Sequence, residues 1–176
     1  MGGNQLGRNF VSDRQKIDPA KKKEEPKAAP NTEKTIEQHF EDLARYREEN
    51  GMPPAGSPED NVKGSARTVA KLVVGDKEFI GTNAHGRKPI TLKVNNISIT
   101  HAETDVFQQA KDAGISGGKA VLIVDREVCP PCGLRGAVKS MSKQLGFTEI
   151  EIHSRGKPQL KFNPFDDGNP FKNYYD

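Results

Sequence analysis

The sequence predicts a three-layer α/β protein with a mostly central sheet. Residues 69–82 have the pattern of a strand, a tight turn and a second strand. Residues 120–124 form a continuous apolar run, which is typical of a strand buried on both faces. The segments 101–113 and 132–145 carry apolar residues at helical spacing. The predicted order is therefore hairpin, helix, strand, helix and a closing pair of strands.

The first 60 residues differ in composition from the rest of the chain. Residues 1–34 contain few large apolar side chains and include a lysine-, glutamate- and proline-containing stretch that ends at Pro30. Such a segment cannot bury enough surface to offset the entropy of ordering it, so we predict a disordered linker. A second linker is predicted over the proline-containing residues 52–61, and the folded domain over residues 62–176.

An amphipathic helix is predicted between the two linkers, over residues 35–51. Thr35 and Gln38 resemble a capping box, and Gly51 ends the pattern. We expect this helix to dock on the domain; binding to a partner or standing in solvent are the alternatives. The apolar residues that recur at helical spacing are Ile36, Phe40, Leu43 and Tyr46.

Within the domain, the hairpin strands 69–74 and 78–82 flank the turn residues 75–77. The first core helix, from His101 to Ala113, ends at Gly114, and the second is expected to begin at Cys132 and end at Gly146. The stripe on the second helix is Leu134, Val138, Met141 and Leu145.

Two strands close the predicted fold. Residues 149–153 alternate in polarity, and residues 159–162 can return antiparallel after the turn at 155–158. The polar tail after Pro164, which carries scattered aromatic residues, is expected to pin the sheet edge or to fray.

Charge and hydropathy exclude some classes of protein. No run approaches the ~20 apolar residues of a membrane helix, and the first residues lack an apolar signal stretch, so we expect no membrane association and no Sec signal peptide. Residues 61–176 carry seventeen Lys/Arg against twelve Asp/Glu, whereas residues 1–60 carry ten against twelve. All the net positive charge therefore lies in the C-terminal part, which permits a polyanionic partner.

The residues that can carry chemistry stand at the predicted starts of the two core helices. His101-Ala102-Glu103 opens the first, and Cys129 and Cys132, separated by two prolines, open the second. A catalytic zinc keeps three imidazole or thiolate ligands, so that water fills the fourth position. His101, Cys129 and Cys132 supply that number. Glu103 is near enough to move a proton without occupying a coordination position.

This pattern, His101-x-Glu103 followed by Cys129-x-x-Cys132, resembles the zinc signature of the cytidine deaminase-like superfamily. Residues from about 69 to 162 are similar to that family's hairpin, metal helix, strand, metal helix and closing strands. The resemblance implies that His101, Cys129 and Cys132 bind Zn²⁺ and that Glu103 is the proton shuttle. Val128 stands where the family usually has a proline.

The resemblance also implies contacts with substrate. Asn83 ends the second strand, where family members often place an asparagine that binds the substrate sugar. Ala102 and His85 are assigned to substrate binding as well, His85 at the mouth of the pocket. A polar turn residue is the alternative for Asn83, and an exposed loop histidine for His85. His39 and His153 are expected to be a helix-surface residue and a strand-end residue, without a ligand role.

A thiol-disulfide oxidoreductase is the alternative from a different class. A Cys-x-x-Cys pair after a buried strand and before an amphipathic helix also suits a thioredoxin-like dithiol. That alternative leaves His101 and Glu103 without a role. It also expects a strand-helix-strand unit before the cysteines rather than a hairpin.

The arrangement of leader, short helix and C-terminal deaminase domain resembles the toxin end of a bacterial polymorphic toxin. The resemblance implies a hydrolase that is delivered into the cytoplasm of a competing cell, deaminates cytosine to uracil in nucleic acid, and is neutralised in its producer by a cognate immunity protein. The basic surplus favours nucleic acid over a nucleoside. Single-stranded DNA is expected before duplex, because the chain has no Trp to hold a gap open. RNA, free cytidine or nucleotides, and adenine are the alternative substrates.

Overall fold

A computed structural model of the chain describes residues 33–62 and 67–176. Residues Lys34–Asp176 form one compact unit. The linker predicted over residues 1–34 lies outside the described residues, except for its last two. None of the helices in the described part is long and apolar enough to cross a membrane.

The fold is mixed α/β with a five-stranded sheet, as predicted. The elements are α1 (Ile36–Glu49), β1 (Val69–Val74), β2 (Lys77–Thr82), α2 (Ala102–Asp112), β3 (Gly118–Val124), α3 (Ala137–Gln144), β4 (Phe147–Ser154) and β5 (Leu160–Phe162). A short 3₁₀ turn, Ser98–Thr100, precedes α2. The strand order is β2-β1-β3-β4-β5, and among the described strands only the β3–β4 pair is parallel. The predicted opening hairpin and closing antiparallel pair are both present.

The hairpin turn follows directly from its sequence. Val74 pairs with Lys77, so that Gly75 and Asp76 alone form the turn. Gly75 has a φ of 60°, a conformation that L side chains rarely adopt and that two-residue hairpin turns require.

The sheet buries both of its faces, and β3 shows this most clearly. Leu122 packs into a large core with Phe107 of α2, whereas its neighbour Ile123 packs into a second core with Leu43 of α1. Successive residues of a strand point to opposite faces, so helices cover the sheet on two sides. The predicted three layers and the predicted docking of α1 are therefore confirmed.

Helix α1 has the predicted capping box between Thr35 and Gln38. The prediction that His39 lies on the helix surface is wrong, because this side chain is buried beneath the helix. Its Nδ1 lies 3.2 Å from Nζ of Lys71, a fully buried lysine on β1. A buried ammonium requires polar partners, and Lys71 recruits them from α1. The spacing of apolar residues on one helix cannot reveal a partner that comes from the sheet.

A second polar contact joins α1 to the end of β3. The buried guanidinium of Arg47 donates from Nε to Oδ2 of Asp125 at 2.5 Å and from Nη1 to Oδ1 of Asp60 at 3.1 Å. Asp60 belongs to the proline-containing segment that leads to β1. Arg47 thus fastens this segment and the C-terminal end of β3 to the same helix.

Helix α3 begins later than predicted. The expected start was Cys132, but the helix starts at Ala137. Gly136 has a φ of 84°, which separates the helix from the turns that precede it. Leu134, which was predicted to lie on the buried stripe, is 42% exposed for the same reason. The aromatic tail pins the sheet, since Phe171 packs into the large core.

Candidate active site

The structure brings the three predicted ligand side chains together. His101 is the N-cap residue of α2, and its ring makes no capping hydrogen bond. Its Nδ1 lies 3.1 Å from Sγ of Cys129 and 3.2 Å from Sγ of Cys132. The three potential ligand atoms all lie within 4.8 Å of one another, so the group could hold a metal ion.

The donor set fits zinc. With Zn–S bonds of about 2.3 Å and Zn–N bonds of about 2.0 Å, tetrahedral geometry separates nitrogen and sulfur by about 3.5 Å. The observed separations of 3.1 and 3.2 Å lie within about 0.4 Å of that value. Three protein ligands of this kind are typical of a catalytic rather than a structural zinc site.

A tight turn aims both sulfurs at the histidine. The carbonyl of Cys129 accepts hydrogen bonds from N of Cys132 at 3.0 Å and from N of Gly133 at 2.9 Å. Gly133 is required there, because a Cβ on it would lie 2.5 Å from Oη of Tyr175 and 2.7 Å from the ring of Phe171. The turn itself, rather than a helix start as predicted, presents the thiols.

The two thiols differ in their acidity. Hydrogen bonds with Cys132 and then with His101 lower the pKa of Cys129 to about 5, although burial opposes this shift. The hydrogen bond with Cys129 and burial raise the pKa of Cys132 above its usual value. The bond to Cys129 also raises the pKa of His101. The lowered pKa of Cys129 favours the thiolate, which is the form of a cysteine that binds metal ions.

Glu103 lies in the first turn of α2. It lines a small cavity of about 80 Å³ together with His101 and Cys129. Burial raises the pKa of Glu103 to about 7, and the negative charge of Cys129 adds to the shift. A carboxyl group whose pKa is near neutrality can both accept and donate a proton.

Two of the three predicted substrate residues line this cavity. Ala102 and Asn83 line it together with His101 and Cys129. Oδ1 of Asn83 accepts a hydrogen bond from N of Thr68 at 3.0 Å, which fixes the side chain at the end of β2. His85 lies elsewhere: its Nε2 is 3.2 Å from the carbonyl of Ile99, and it lines a separate depression with Arg87. The substrate roles of all three residues stay predictions.

Several residues of the site were not foreseen from the sequence. Thr68 and Glu127 also line the cavity, and they come from loops that no motif marks. Asp105, two residues after Glu103, accepts hydrogen bonds from N of Thr82 at 3.3 Å and from Nε of Arg87, and so holds the loop that follows β2. The position of Asp105, two residues after Glu103, is visible in the sequence. Its hydrogen-bond partners are not, because Thr82 and Arg87 lie about twenty residues before it.

The topology differs from that of the oxidoreductase alternative. Before the cysteines, the described residues form an antiparallel hairpin, and β1 is also antiparallel to β3. The strands on either side of α2, which are β2 and β3, are not neighbours in the sheet, because β1 lies between them. His101, which that alternative leaves without a role, contacts both sulfurs.

Comparison with known proteins agrees with this geometry. A family model described as MafB19-like deaminase matches residues 46–160, which include the three predicted ligand residues and Glu103. Searches of curated proteins and of solved structures gave no match.

Proposed function

Because the chain belongs to the MafB19-like deaminase family, a cytidine deaminase-like family associated with polymorphic toxins, we propose that it is a zinc-dependent hydrolase that deaminates cytosine to uracil in single-stranded nucleic acid. DNA is the favoured substrate and RNA the alternative. One observation carries the proposal. Nδ1 of His101 lies within 3.2 Å of the sulfurs of Cys129 and Cys132, and Glu103 lines the same cavity as His101 and Cys129.

His101, Cys129 and Cys132 would hold the zinc ion. When bound, zinc supplies a Lewis acid that activates a water molecule for attack on the carbon that carries the amino group. The low pKa of Cys129 favours its ligand form at neutral pH. The turn at Cys129 keeps both sulfurs on one side of the loop, so the ligand geometry does not have to be assembled on binding.

Glu103 would move the protons. Its carboxylate accepts a proton from the attacking water and donates one to the departing amino group. A C–O bond forms, the C–N bond breaks, and the amino group leaves as ammonia. Burial serves this role, because it keeps the pKa of Glu103 at about 7, where neither protonation state is costly. Asn83 and Ala102, which line the same cavity, would contact the sugar and the base.

Charge supports a polymeric substrate. Residues 61–176, which carry the whole catalytic group, have five more Lys/Arg than Asp/Glu. Contacts with backbone phosphates supply most of the sequence-independent affinity for nucleic acid. A single strand requires no extrusion of the target base, whereas a duplex requires unstacking that costs a few kcal/mol.

A substrate panel tests the proposal. The protein is incubated with single-stranded DNA, duplex DNA, RNA and free cytidine. Uracil in DNA is detected by cleavage with uracil glycosylase, and uracil in RNA by sequencing. Uridine formed from free cytidine is detected by chromatography. We expect uracil in single-stranded DNA from the wild type and none from Glu103→Gln. Absence of product from every cytosine substrate would overturn the proposed function.

We also propose that the domain acts as an antibacterial effector inside a target cell and that an immunity protein neutralises it in the producer. The association of the family with polymorphic toxins supports this role. Expression of the wild type in a bacterium is expected to stop growth, whereas Glu103→Ala is expected to be tolerated. Equal growth at equal protein levels would contradict an enzymatic toxin.

A further inference from the structure

The catalytic cavity opens into a wider depression. At about 80 Å³ it is small, but Thr68, Glu127 and Cys129 line both it and a neighbouring depression of about 550 Å³. We call this neighbour the arginine groove, because Arg126 and Arg155 line it. A substrate whose reacting base enters the catalytic cavity therefore has its adjoining atoms in the arginine groove.

The arginine groove adjoins a third space. Asp125, Arg155 and Gly156 line both the groove and a cavity of about 740 Å³ beneath helix α1. We call the latter the apolar cavity, since its wall includes Phe40, Ala44, Met52, Pro54 and Ala55. Its volume lies in the range of about 300–1,000 Å³ that is usual for ligand sites. The three spaces adjoin one another across the C-terminal ends of β3 and β4, with the contact between Arg155 and Ala55 at the boundary of the last two.

Arg155 lies where the arginine groove meets the apolar cavity, and its charge is available. Arg126 pairs with Asp60, and Asp125 pairs with the buried Arg47. Arg155, in contrast, donates to the backbone carbonyl of Ala55, and among the described residues no carboxylate pairs with it. An arginine without a carboxylate partner at such a junction is suited to a passing phosphate group.

The apolar cavity is suited to a nucleobase. Phe40 offers a half-buried aromatic ring, and Met52 and Pro54 supply further apolar surface. Stacking on an aromatic side chain is the usual way in which proteins bind the bases of a single strand without regard to sequence. An aromatic wall directly after an arginine matches the alternation of base and phosphate along a strand.

We propose that the arginine groove and the apolar cavity bind the nucleotides adjoining the target cytosine, with a phosphate beside Arg155 and a neighbouring base in the apolar cavity against Phe40. The proposal rests on the proposed function and specifies its substrate as a strand of several nucleotides rather than a free nucleoside. Arg155 and the apolar cavity then determine substrate class, while the catalytic cavity performs the chemistry.

Binding measurements on full-length protein with the Glu103→Gln change test the phosphate site. The probe is a fluorescein-labelled ten-nucleotide DNA strand with one cytosine, followed by anisotropy over a range of salt concentrations. Adding Arg155→Gln is expected to weaken binding about five- to tenfold, because one charge-assisted hydrogen bond is lost. The slope of log K against log salt should decrease in magnitude by about 0.7, the value for one phosphate contact on a single strand.

The matched control is Lys119→Gln. This change removes one positive charge, as Arg155→Gln does. The side chain of Lys119 is 75% exposed, and Lys119 lies at the start of β3, at the opposite end of that strand from Cys129. We expect the affinity and the salt slope of this variant to equal those of the parent protein. If Arg155→Gln behaves as Lys119→Gln does, the phosphate site is wrong.

A second pair of variants tests the apolar cavity without removing any contact. Ala44 is an exposed residue of α1 that lines the cavity, so Ala44→Trp fills the space and Ala44→Ser leaves it open. We expect Ala44→Trp to weaken binding of the ten-nucleotide strand at least about fivefold, the loss of one stacked base, with no effect on a strand of one or two nucleotides. Equal binding by the two variants would overturn the base site.

These results are separate from the test of the proposed function. The substrate panel decides whether cytosine is deaminated, whereas the binding series decides where the strand lies. Circular dichroism and melting temperature of each variant establish that it is folded. Deamination of a ten-nucleotide strand and of free deoxycytidine with equal kcat/KM would leave the enzyme assignment intact and contradict this placement of the strand.

Discussion

Oη of Tyr175 donates a hydrogen bond of 2.6 Å to the backbone carbonyl of Val128, the residue directly before Cys129. The neighbouring Tyr174 accepts a hydrogen bond from N of Val128 at 3.0 Å. The C-terminal tail thus satisfies both backbone groups at the base of the cysteine turn. A proline in place of Val128 would have no N–H, so the hydrogen bond to Tyr174 requires a residue other than proline here.

We predict that Tyr175→Phe weakens metal binding. The change leaves the Val128 carbonyl without its partner and should cost about 1 kcal/mol, which corresponds to roughly a fivefold loss of zinc affinity if the bond positions Cys129. Competition with a chromophoric chelator measures the affinity, and thermal unfolding of the metal-free protein measures stability separately. The control is Tyr46→Phe on α1, which lies outside the catalytic cavity. Equal zinc affinity in both variants would contradict the positioning role.

Substitution of a proposed metal ligand and substitution of the proposed proton shuttle should have different consequences. Cys132→Ser is expected to lose most of the bound zinc, whereas Glu103→Gln should retain about one ion per chain, because Glu103 does not coordinate. Both should lose activity, Glu103→Gln by at least about 100-fold, as is usual for a general acid–base residue. Metal analysis of purified protein, together with deamination rates, checks this. Loss of zinc from Glu103→Gln would show that its carboxylate is a ligand instead.

Local patterns predicted the elements that depend on local interactions. The hairpin turn at Gly75 and the cap of α1 at Thr35 follow from residues within four positions of each other, and both are present. The ligand cluster was predicted from the types of its residues, an imidazole and two thiols, and not from their closeness along the chain. His101 and Cys129 lie 28 positions apart in the sequence. The start of α3 was misjudged because the apolar stripe continues across Gly136, whose positive φ ends the turns before it.

The contacts that the sequence did not reveal all join distant elements through polar groups. Lys71 sits in an apolar run of β1 and was not noted as a buried cation. Its partners are His39 and Asp42 of α1 and Glu78 of β2. The periodicity of apolar residues within one element does not predict a contact with another element. The same holds for Tyr175 and Val128, which lie 47 positions apart. Buried polar networks depend on the assembled fold, whereas turns and caps depend on the chain next to them.

The stability of the domain should decrease in acid because of Asp42. Burial alone would raise the pKa of Asp42, but hydrogen bonds from Lys34 and Lys71 outweigh it and lower the pKa to about 2. Other ionisable groups that face the cluster are His39, Glu78 and Arg45. A folded-state pKa below the usual value of 3.8 stabilises the protein above about pH 4, and this contribution disappears as the pH falls toward 2.

The expected loss is about 2 kcal/mol of unfolding free energy between pH 5 and pH 2, beyond any general acid effect. Urea unfolding at several pH values measures it. The comparison is Asp42→Asn, which cannot titrate and should show a correspondingly flatter dependence over this range. Parallel curves for the two proteins would mean that Asp42 is not the responsible group.

Arg47 should matter more for stability than any exposed arginine of the same helix. It is 1% exposed and contacts the carboxylates of Asp60 and Asp125, both buried. Arg47→Ala removes the arginine that pairs with the buried Asp125, whereas Asp60 still pairs with Arg126, and we expect the change to cost about 3–5 kcal/mol. Arg45→Ala is the matched control, because Arg45 is two residues away on α1 and its side chain is 61% exposed, so its change should cost at most about 1 kcal/mol. Chemical denaturation of both variants measures the difference. A similar small cost for both variants would show that the segment before β1 and the end of β3 do not depend on Arg47. A large cost confined to Arg47→Ala would show that this one guanidinium holds α1 to the end of the sheet that carries the cysteine turn.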